Sequence, residues 1–253
     1  MLTIDRRRKI LQFINENKIA TITELADKFN VHEATIRRDL SLLEDRGQLQ
    51  RTHGGVVKND EVSSEPPFNI RQTAQVEEKR RIGEFTEKLI KDGDNIILDS
   101  GTTTASIVGV ILKKRNITTI TNDLNIATQL NSAAQNKVIV TGGNLYPDSH
   151  MLNGRITDET FKEFYANIAF IGTPAFHYEK GLLHFDDYLV SAKKEMIKAA
   201  KKVIVVADHT KIGKDALYRV AEIKEIDALI TTREITGEQE ENLERLNIDV
   251  FIV

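Results

Sequence analysis

Apolar residues follow two different rhythms along this chain of 253 residues, and the rhythm changes near residue 58. Up to Leu43 the spacing is helical. Ile10, Leu11 and Ile14 share one face of a segment from Asp5 to Glu16, with Arg6, Arg7, Arg8 and Lys9 on its other positions. Thr23-Glu24-Leu25-Ala26 reads as an N-cap opening a second helix whose inner face is Leu25, Ala26 and Phe29. Asn30-Val31-His32 interrupts it, and a third helix from Glu33 buries Ile36, Leu40 and Leu43 at i, i+4 and i+7. Two short helices, a tight turn and a longer helix predict a helix-turn-helix. After Gly47, the alternation of Gln48 to His53, then Gly54-Gly55 and Val56-Val57, predicts a two-stranded wing.

Beyond residue 94 the rhythm becomes that of buried strands. Short apolar runs at 95–98, 117–121, 137–141, 168–171, 203–207, 228–231 and 250–253 are mostly separated by helical spacing. The pattern predicts an α/β domain with an open, largely parallel sheet and helices on both faces. Between the two regions, residues 58–76 are polar and contain Pro66-Pro67, as an exposed linker does, although Phe68, Ile70 and Val76 hint at a docked segment. A long helical pattern runs from Glu77 to Lys91. The expected organisation is a winged helix-turn-helix at 1–57, a linker at 58–76 and an α/β domain at 77–253.

Charge adds a function to the first region. With Ile36, Leu40 and Leu43 inward, Ala34, Arg37, Arg38 and Ser41 face solvent and Thr35 sits near the start of the third helix. Small residues at the tip followed by two arginines suit a recognition helix in the major groove of double-stranded DNA. Arg51 and His53 would stand on the wing near phosphates. The alternative is a solvated basic face, with Asp39 neutralising one arginine. Residues 1–58 carry 11 Lys and Arg against 8 Asp and Glu, whereas the whole chain is −3, so the remainder carries −6. A basic head on an acidic body fits binding to a polyanion through the head.

The second region carries a candidate anion site. Asn95-Ile96-Ile97-Leu98-Asp99 ends in Ser100-Gly101-Thr102-Thr103-Thr104, a strand entering a turn and a helix. The first turn offers three hydroxyls and several unpaired amides at the positive end of a helix dipole, which suits phosphate; helix capping alone is the other reading of the same residues. Other strands end in Thr121-Asn122-Asp123, Thr141-Gly142-Gly143, Gly172 and Asp208. Ligands of such sheets bind at the carboxyl ends of strands, so these groups are expected to converge, although Gly142-Gly143 also reads as a simple turn. The chain has no cysteine, which excludes disulfides, thiol nucleophiles and Cys-ligated zinc. Its 6 histidines show no metal spacing, and neither metal nor cofactor is expected. No apolar run reaches membrane-spanning length, and the N-terminus lacks a signal-peptide core, so a cytoplasmic protein is expected.

These residues resemble a known family. Thr35-Ile36-Arg37-Arg38-Asp39-Leu40, Leu43-Glu44, Gly47 and Arg51-Thr52-His53-Gly54-Gly55 are similar to the N-terminal signature of the DeoR family of bacterial sugar-operon regulators. Leu98 to Thr104, Thr121-Asn122 with Leu124-Asn125, Gly142-Gly143, Gly154, Phe170-Ile171-Gly172, Gly181 and Ala207 to Gly213 continue it. The resemblance implies a winged helix joined to a sensor like phosphosugar isomerases, usually a repressor released by a phosphorylated sugar. It implies that Asp99, Thr102, Thr103 and Asn122 meet the phosphate or adjacent hydroxyls, that Lys79 helps hold the effector, and that Asp208 and Lys211 bind its far end. Lys79 pairing with a neighbouring glutamate and Asp208 capping the next helix are the structural alternatives. Phe185-Asp186-Asp187 resembles the Phe-Asn-Glu of regulators of sugar-alcohol use, which brings Asp187 into the site, while Leu183 and His184 replace the family's threonines. Gly172-Thr173-Pro174-Ala175 also departs from the family's Gly-Ala-Asn-Gly or Gly-Thr-Asp-Gly.

The expected partners are operator DNA and a phosphorylated sugar or polyol, bound by a homo-oligomer, with no membrane. Two other classes share these features. A phosphosugar isomerase or deaminase would need a base among Asp99, Asp208 and His209, and no enzyme motif surrounds them. A DNA-binding regulator without a ligand would not need the Ser100–Thr104 turn and its lysines.

Overall fold

In the computed structural model, residues 3–17, 19–45, 49–52, 55–58, 65, 68–132, 134–146 and 149–253 are described. They divide into two units, residues 1–66 and 67–253.

In the first unit, α1 (Thr3–Asn17), β1 (Ile19–Thr21), α2 (Ile22–Phe29), α3 (Glu33–Asp45), β2 (Leu49–Thr52) and β3 (Gly55–Lys58) enclose a core of Ile10, Ile14, Leu25, Ile36, Leu40, Leu43, Leu49 and Val56. The helical stripes read from the sequence are thus the inner faces. The cap of α2 differs: Thr21, in extended backbone, accepts from the Glu24 amide at 3.1 Å while the Glu24 carboxylate accepts from the Thr21 amide at 3.3 Å. This capping box needs a threonine three residues before the glutamate, which Thr23 cannot be. Thr23 donates instead to Glu33 Oε1 at 2.8 Å, tying α2 to α3. Asn30, at φ 49°, ends α2 in the left-handed conformation that its short side chain tolerates. The wing also gains a strand, because β1 pairs antiparallel with β3 on the side away from β2.

The second unit opens with α4 (Phe68–Thr73) and α5 (Val76–Phe85), so the latter half of the expected linker contains a helix. The helix expected over 77–91 ends at Phe85 and tightens into a 3₁₀ turn at Thr86–Lys88. Next come β4 (Asn95–Leu98), α6 (Thr102–Ala105), α7 (Val108–Ile111), β5 (Thr118–Thr121), α8 (Leu124–Leu130) and β6 (Lys137–Val140). A hairpin of β7 (Asn144–Tyr146) and β8 (Met151–Asn153) leads into α9 (Arg155–Lys162) and β9 (Ala166–Gly172). β10 (Ala175–His177), β11 (Gly181–His184), α10 (Val190–Lys198), β12 (Ala200–Val206), β13 (Tyr218–Ala221), β14 (Ala228–Thr231), α11 (Gly237–Glu244) and β15 (Asp249–Ile252) follow.

All seven apolar runs become strands of one parallel sheet, ordered β15-β14-β12-β9-β4-β5-β6. The central strands β4, β9, β12 and β14 are buried on both faces, which is why their runs lack polar alternation, while the edge strands β6 and β15 are half-buried. Ile96, Leu98, Phe170, Ile204 and Val206 meet Ile82 of α5, Ile111 of α7 and Ile126 of α8, whereas Ile97, Ala169, Ile171 and Val205 meet Phe161 of α9 and Met196 of α10. A Cβ on Gly83 of α5 would stand 2.3 Å from the Ser106 carbonyl oxygen, so only glycine lets α5 lie directly on the segment after α6. From β4 the chain winds outward through β5 to β6, and then returns to place β9 on the other side of β4. The direction of winding therefore reverses between β4 and β9, the place where open α/β sheets leave a crevice at their carboxyl edge.

Asp39 accounts for the attachment of α1. Buried at the back of α3, it accepts from Arg6 Nε at 2.6 Å and Arg7 Nε at 2.7 Å. It does not neutralise the arginines on the outer face of its own helix. Asp39→Ala strands two cations at this joint and is expected to destabilise the first unit by about 3–5 kcal/mol. Hydrogen exchange on the full chain checks this: α1 and α3 should exchange faster, with β4 and β9 unchanged.

Candidate functional site

Two surfaces carry the chemistry, one in each unit. On α3, Ala34, Arg37 and Arg38 are exposed, while Thr35 and Ser41 are half-buried along the same side. Arg37 bonds Glu33 at 2.7 Å, one turn back. Such an exposed pair contributes only about 0.3–0.5 kcal/mol and yields readily to a phosphate. Arg38 pairs with no acid among the described residues, and Asp39 is spent on Arg6 and Arg7. The exposed face of α3 is therefore cationic and supported from behind. Arg51 lies in β2 opposite Val56, and His53 is outside the described residues.

In the second unit the site builds upward from the reversal point. Asp99, buried at the end of β4, accepts a charged hydrogen bond from Lys193 of α10 and another from the Gly172 amide at 2.9 Å. Lys193 Nζ also donates to the Gly172 carbonyl at 2.9 Å. Carboxylate and ammonium thus stitch β4 to β9 across the crevice. Burial pushes the Asp99 carboxyl up, opposed by the Lys193 ammonium and the Gly172 amide. Engaged in this way, Asp99 positions the turn that follows it, without presenting a negative charge to an anion.

That turn is shorter than a normal helix start. α6 lasts one turn because Ser106 and Ile107 donate to the carbonyls three residues back, and Ser106 Oγ bonds the Thr103 carbonyl at 2.6 Å. Its dipole is correspondingly small, so an anion here would be held by individual amides and hydroxyls. Thr104 is buried and donates to the Gly101 carbonyl at 2.9 Å, shaping the turn from inside. The amides and hydroxyls of Thr102 and Thr103 donate to no acceptor among the described residues. Ser100 Oγ donates to Met151 Sδ at 2.6 Å, and the Gly101 amide faces the Asp123 carboxylate.

The neighbouring strand ends frame this turn. Asn122 donates to the Leu152 carbonyl at 2.9 Å, which leaves its Oδ1 as a buried acceptor with no donor among the described residues. Asp123 caps α8 through the Asn125 and Ile126 amides at 2.8 and 3.0 Å. Gly142 and Gly143 have φ of 73° and 126°, and a Cβ on Gly143 would stand 2.3 Å from Thr157 Oγ1. These conformations give a tight passage from β6 into β7, close against Asn153 and Thr157. Asp187 is exposed at the head of a 3₁₀ turn, whereas Asp186 accepts from Tyr146 and from the Tyr188 amide at 2.9 Å.

On the other side of the reversal, Asp208 follows β12 and accepts from the amide and hydroxyl of Thr210. Lys79 is buried in α5 and lies within electrostatic reach of Asp208 and Lys211. Burial lowers its pKa to about 8, with Asp208 opposing the shift. Its ammonium donates to the Arg71 carbonyl and to the Ala74 carbonyl at 2.7 Å. Glu78 beside it bonds His209 Nδ1 at 2.6 Å and Thr232 Oγ1 at 2.8 Å. Glu78, Asp208 and His209 group their ligand atoms within 4.8 Å, but these hydrogen bonds and the adjacent ammonium explain the grouping without a cation. Lys211 bonds no acid among the described residues.

Known proteins resolve what this pairing of surfaces is. The DeoR-like helix-turn-helix domain matches residues 6–62, and the DeoR C terminal sensor domain matches residues 74–233. The chain belongs to the DeoR family. It is a DNA-binding transcriptional regulator. The HTH-type transcriptional regulator YulB of Bacillus subtilis is 34% identical over 91% of this chain and 89% of its own length. GlpR of Haloferax volcanii is 31% identical over 99% and 98%, and the glycerol-3-phosphate regulon repressor of Escherichia coli is 29% identical over 91% of each. Among solved structures, ribose 5-phosphate isomerase A from Neisseria gonorrhoeae aligns over 55% of this chain and 54% of its own, at TM-score 0.39 and 15% identity.

For this DeoR regulator, sequence reasoning missed Lys193, the bonds of Glu78 and the Tyr146–Asp186 contact. Lys193 had one available signal: a cation one turn before Ile197 on the apolar stripe of α10, beside Ala192. His184 is buried near that ammonium, and both effects hold its pKa at about 3. The unfolded chain protonates it near 6.5. Below that value the unfolded state binds a proton that the folded state refuses, so this group makes stability fall as pH drops from about 6.5 toward 3. His184→Gln is expected to flatten the dependence of Tm on pH between 6.5 and 4; an unchanged slope would contradict the assignment.

Proposed function

We propose that this regulator is a cytoplasmic repressor of a sugar or sugar-alcohol catabolic operon that binds its operator as a homo-oligomer and releases it when a phosphorylated sugar or polyol occupies the carboxyl edge of the sensor sheet. The observation that carries the reading is the turn at the reversal point, where Thr102 and Thr103 hold unpaired amides and hydroxyls, with Lys79 on α5, which packs against α6, and Lys211 after β12, beyond β9. β4 and β12 are two strand spacings apart, roughly 10 Å, a span that a phosphorylated hexose or hexitol bridges. Phosphate suits the donors of the turn and the two ammonium groups, while Asn122 Oδ1 and the Asp208 carboxylate accept from hydroxyls. The relatives named glycerol-3-phosphate regulon repressor and putative aga operon transcriptional repressor support the repressor part of the reading. Asp99, the natural base for an enolisation, is bonded to Lys193, which favours sensing over catalysis.

A thermal-shift screen of the full chain tests the effector. Phosphorylated hexoses, ketoses and polyols are compared with their unphosphorylated forms, and a Tm rise confined to a phosphorylated compound is expected. No rise with any of them contradicts the effector assignment. Lys211→Met should abolish the rise while leaving operator affinity intact. On the head, Arg38→Ala is expected to weaken operator binding at least tenfold and to lower the slope of log K against log salt by about 1. Retained affinity with an unchanged slope would remove α3 from the interface.

A further inference from the structure

We propose that Lys79 is a latch shared between the C-terminal end of α4 and the anion at the carboxyl edge, so that effector binding uncaps α4; this rests on the effector reading above. α4 has six residues, none of them fully buried, and a helix this short does not hold itself. Its last carbonyls have no intrahelical partner. The Lys79 ammonium supplies one from the next helix, donating to the Arg71 and Ala74 carbonyls. A cation at this end also meets the negative pole of the helix.

The same ammonium faces the site. Asp208 and Lys211 act on it electrostatically, and α4 itself lies against α6, the turn with the unpaired threonine donors. An ammonium has three donors, of which the two carbonyls take two. A phosphate dianion offers a charge-assisted bond that neutral carbonyls cannot match, and so draws the ammonium away from α4. Glu78, bonded to His209 and Thr232, keeps the start of α5 fixed to the sheet while its neighbour turns. α4 begins at Phe68, directly after the boundary between the two units, so a change in its order acts on the segment that joins them.

Hydrogen exchange of the full chain over residues 68–75 tests the latch in two arms. Without ligand, Lys79→Met is expected to speed exchange of the Gln72, Thr73 and Ala74 amides on the order of tenfold, with β4 and β9 unchanged. Exchange equal to that of the natural chain overturns the latch. In the second arm, the natural chain is incubated with glycerol 3-phosphate, a hexitol 6-phosphate and inorganic phosphate. A compound that raises Tm should also speed exchange in α4. A Tm rise with unchanged or slower α4 exchange overturns the latch and leaves the effector reading standing, whereas no Tm rise with any phosphorylated compound in the wider screen overturns both.

Discussion

The Asp99–Lys193 pair holds the point on which the sensor depends. β4 and β9 pair side by side up to Asp99, whose amide donates to the Phe170 carbonyl at 3.1 Å. The sheet reverses its winding between them, so the segments that follow diverge and the turn after β4 must still be placed to within hydrogen-bond tolerance. The buried carboxylate and ammonium, with both backbone groups of Gly172, close that junction. Removing either partner alone leaves an uncompensated charge in the core, so the two act as a unit. Its consequence is local order: Ser100 to Thr103 leave the sheet in one direction, and the donors of Thr102 and Thr103 remain outside the internal bonding.

The head follows a parallel logic with different parts. Asp39 draws Arg6 and Arg7 inward and so fixes α1 to α3, while on the outer face Arg37 has only an exposed pair with Glu33. In each unit one buried acid organises the backbone. Lys79 differs, because it is buried without a direct carboxylate partner, donating to the Arg71 and Ala74 carbonyls.

How much could be read beforehand follows from periodicity. The strands were legible because burial on both faces of the central ones leaves short runs of aliphatic and β-branched residues, and α3 because Ile36, Leu40 and Leu43 mark its inner face. The short antiparallel pieces were not: β7 exposes Leu145, β10 and β11 span only three and four residues, and such segments carry too few positions for a period to emerge. The strand order that puts Asp99 beside Gly172 is a long-range fact without local signature. Lys193 was missed for the same reason, since its partner lies 94 residues away. The threonine motif was visible, but not that the helix it opens is a single turn, in which three adjacent β-branched residues are followed by the Ser106 back-bond.

The central claim is that the sensor's carboxyl edge and the DNA-binding head are coupled through differential affinity. Linkage makes this directly measurable, because an effector that weakens operator binding must itself be bound more weakly in the presence of operator, by the same factor. The decisive measurement is the affinity of the phosphorylated compound for the full chain, with and without a saturating operator duplex selected from random sequences. A weakening of about 5–150-fold, equal to the loss of operator affinity caused by the compound, is the result the account requires. Equal affinity in both conditions would contradict it.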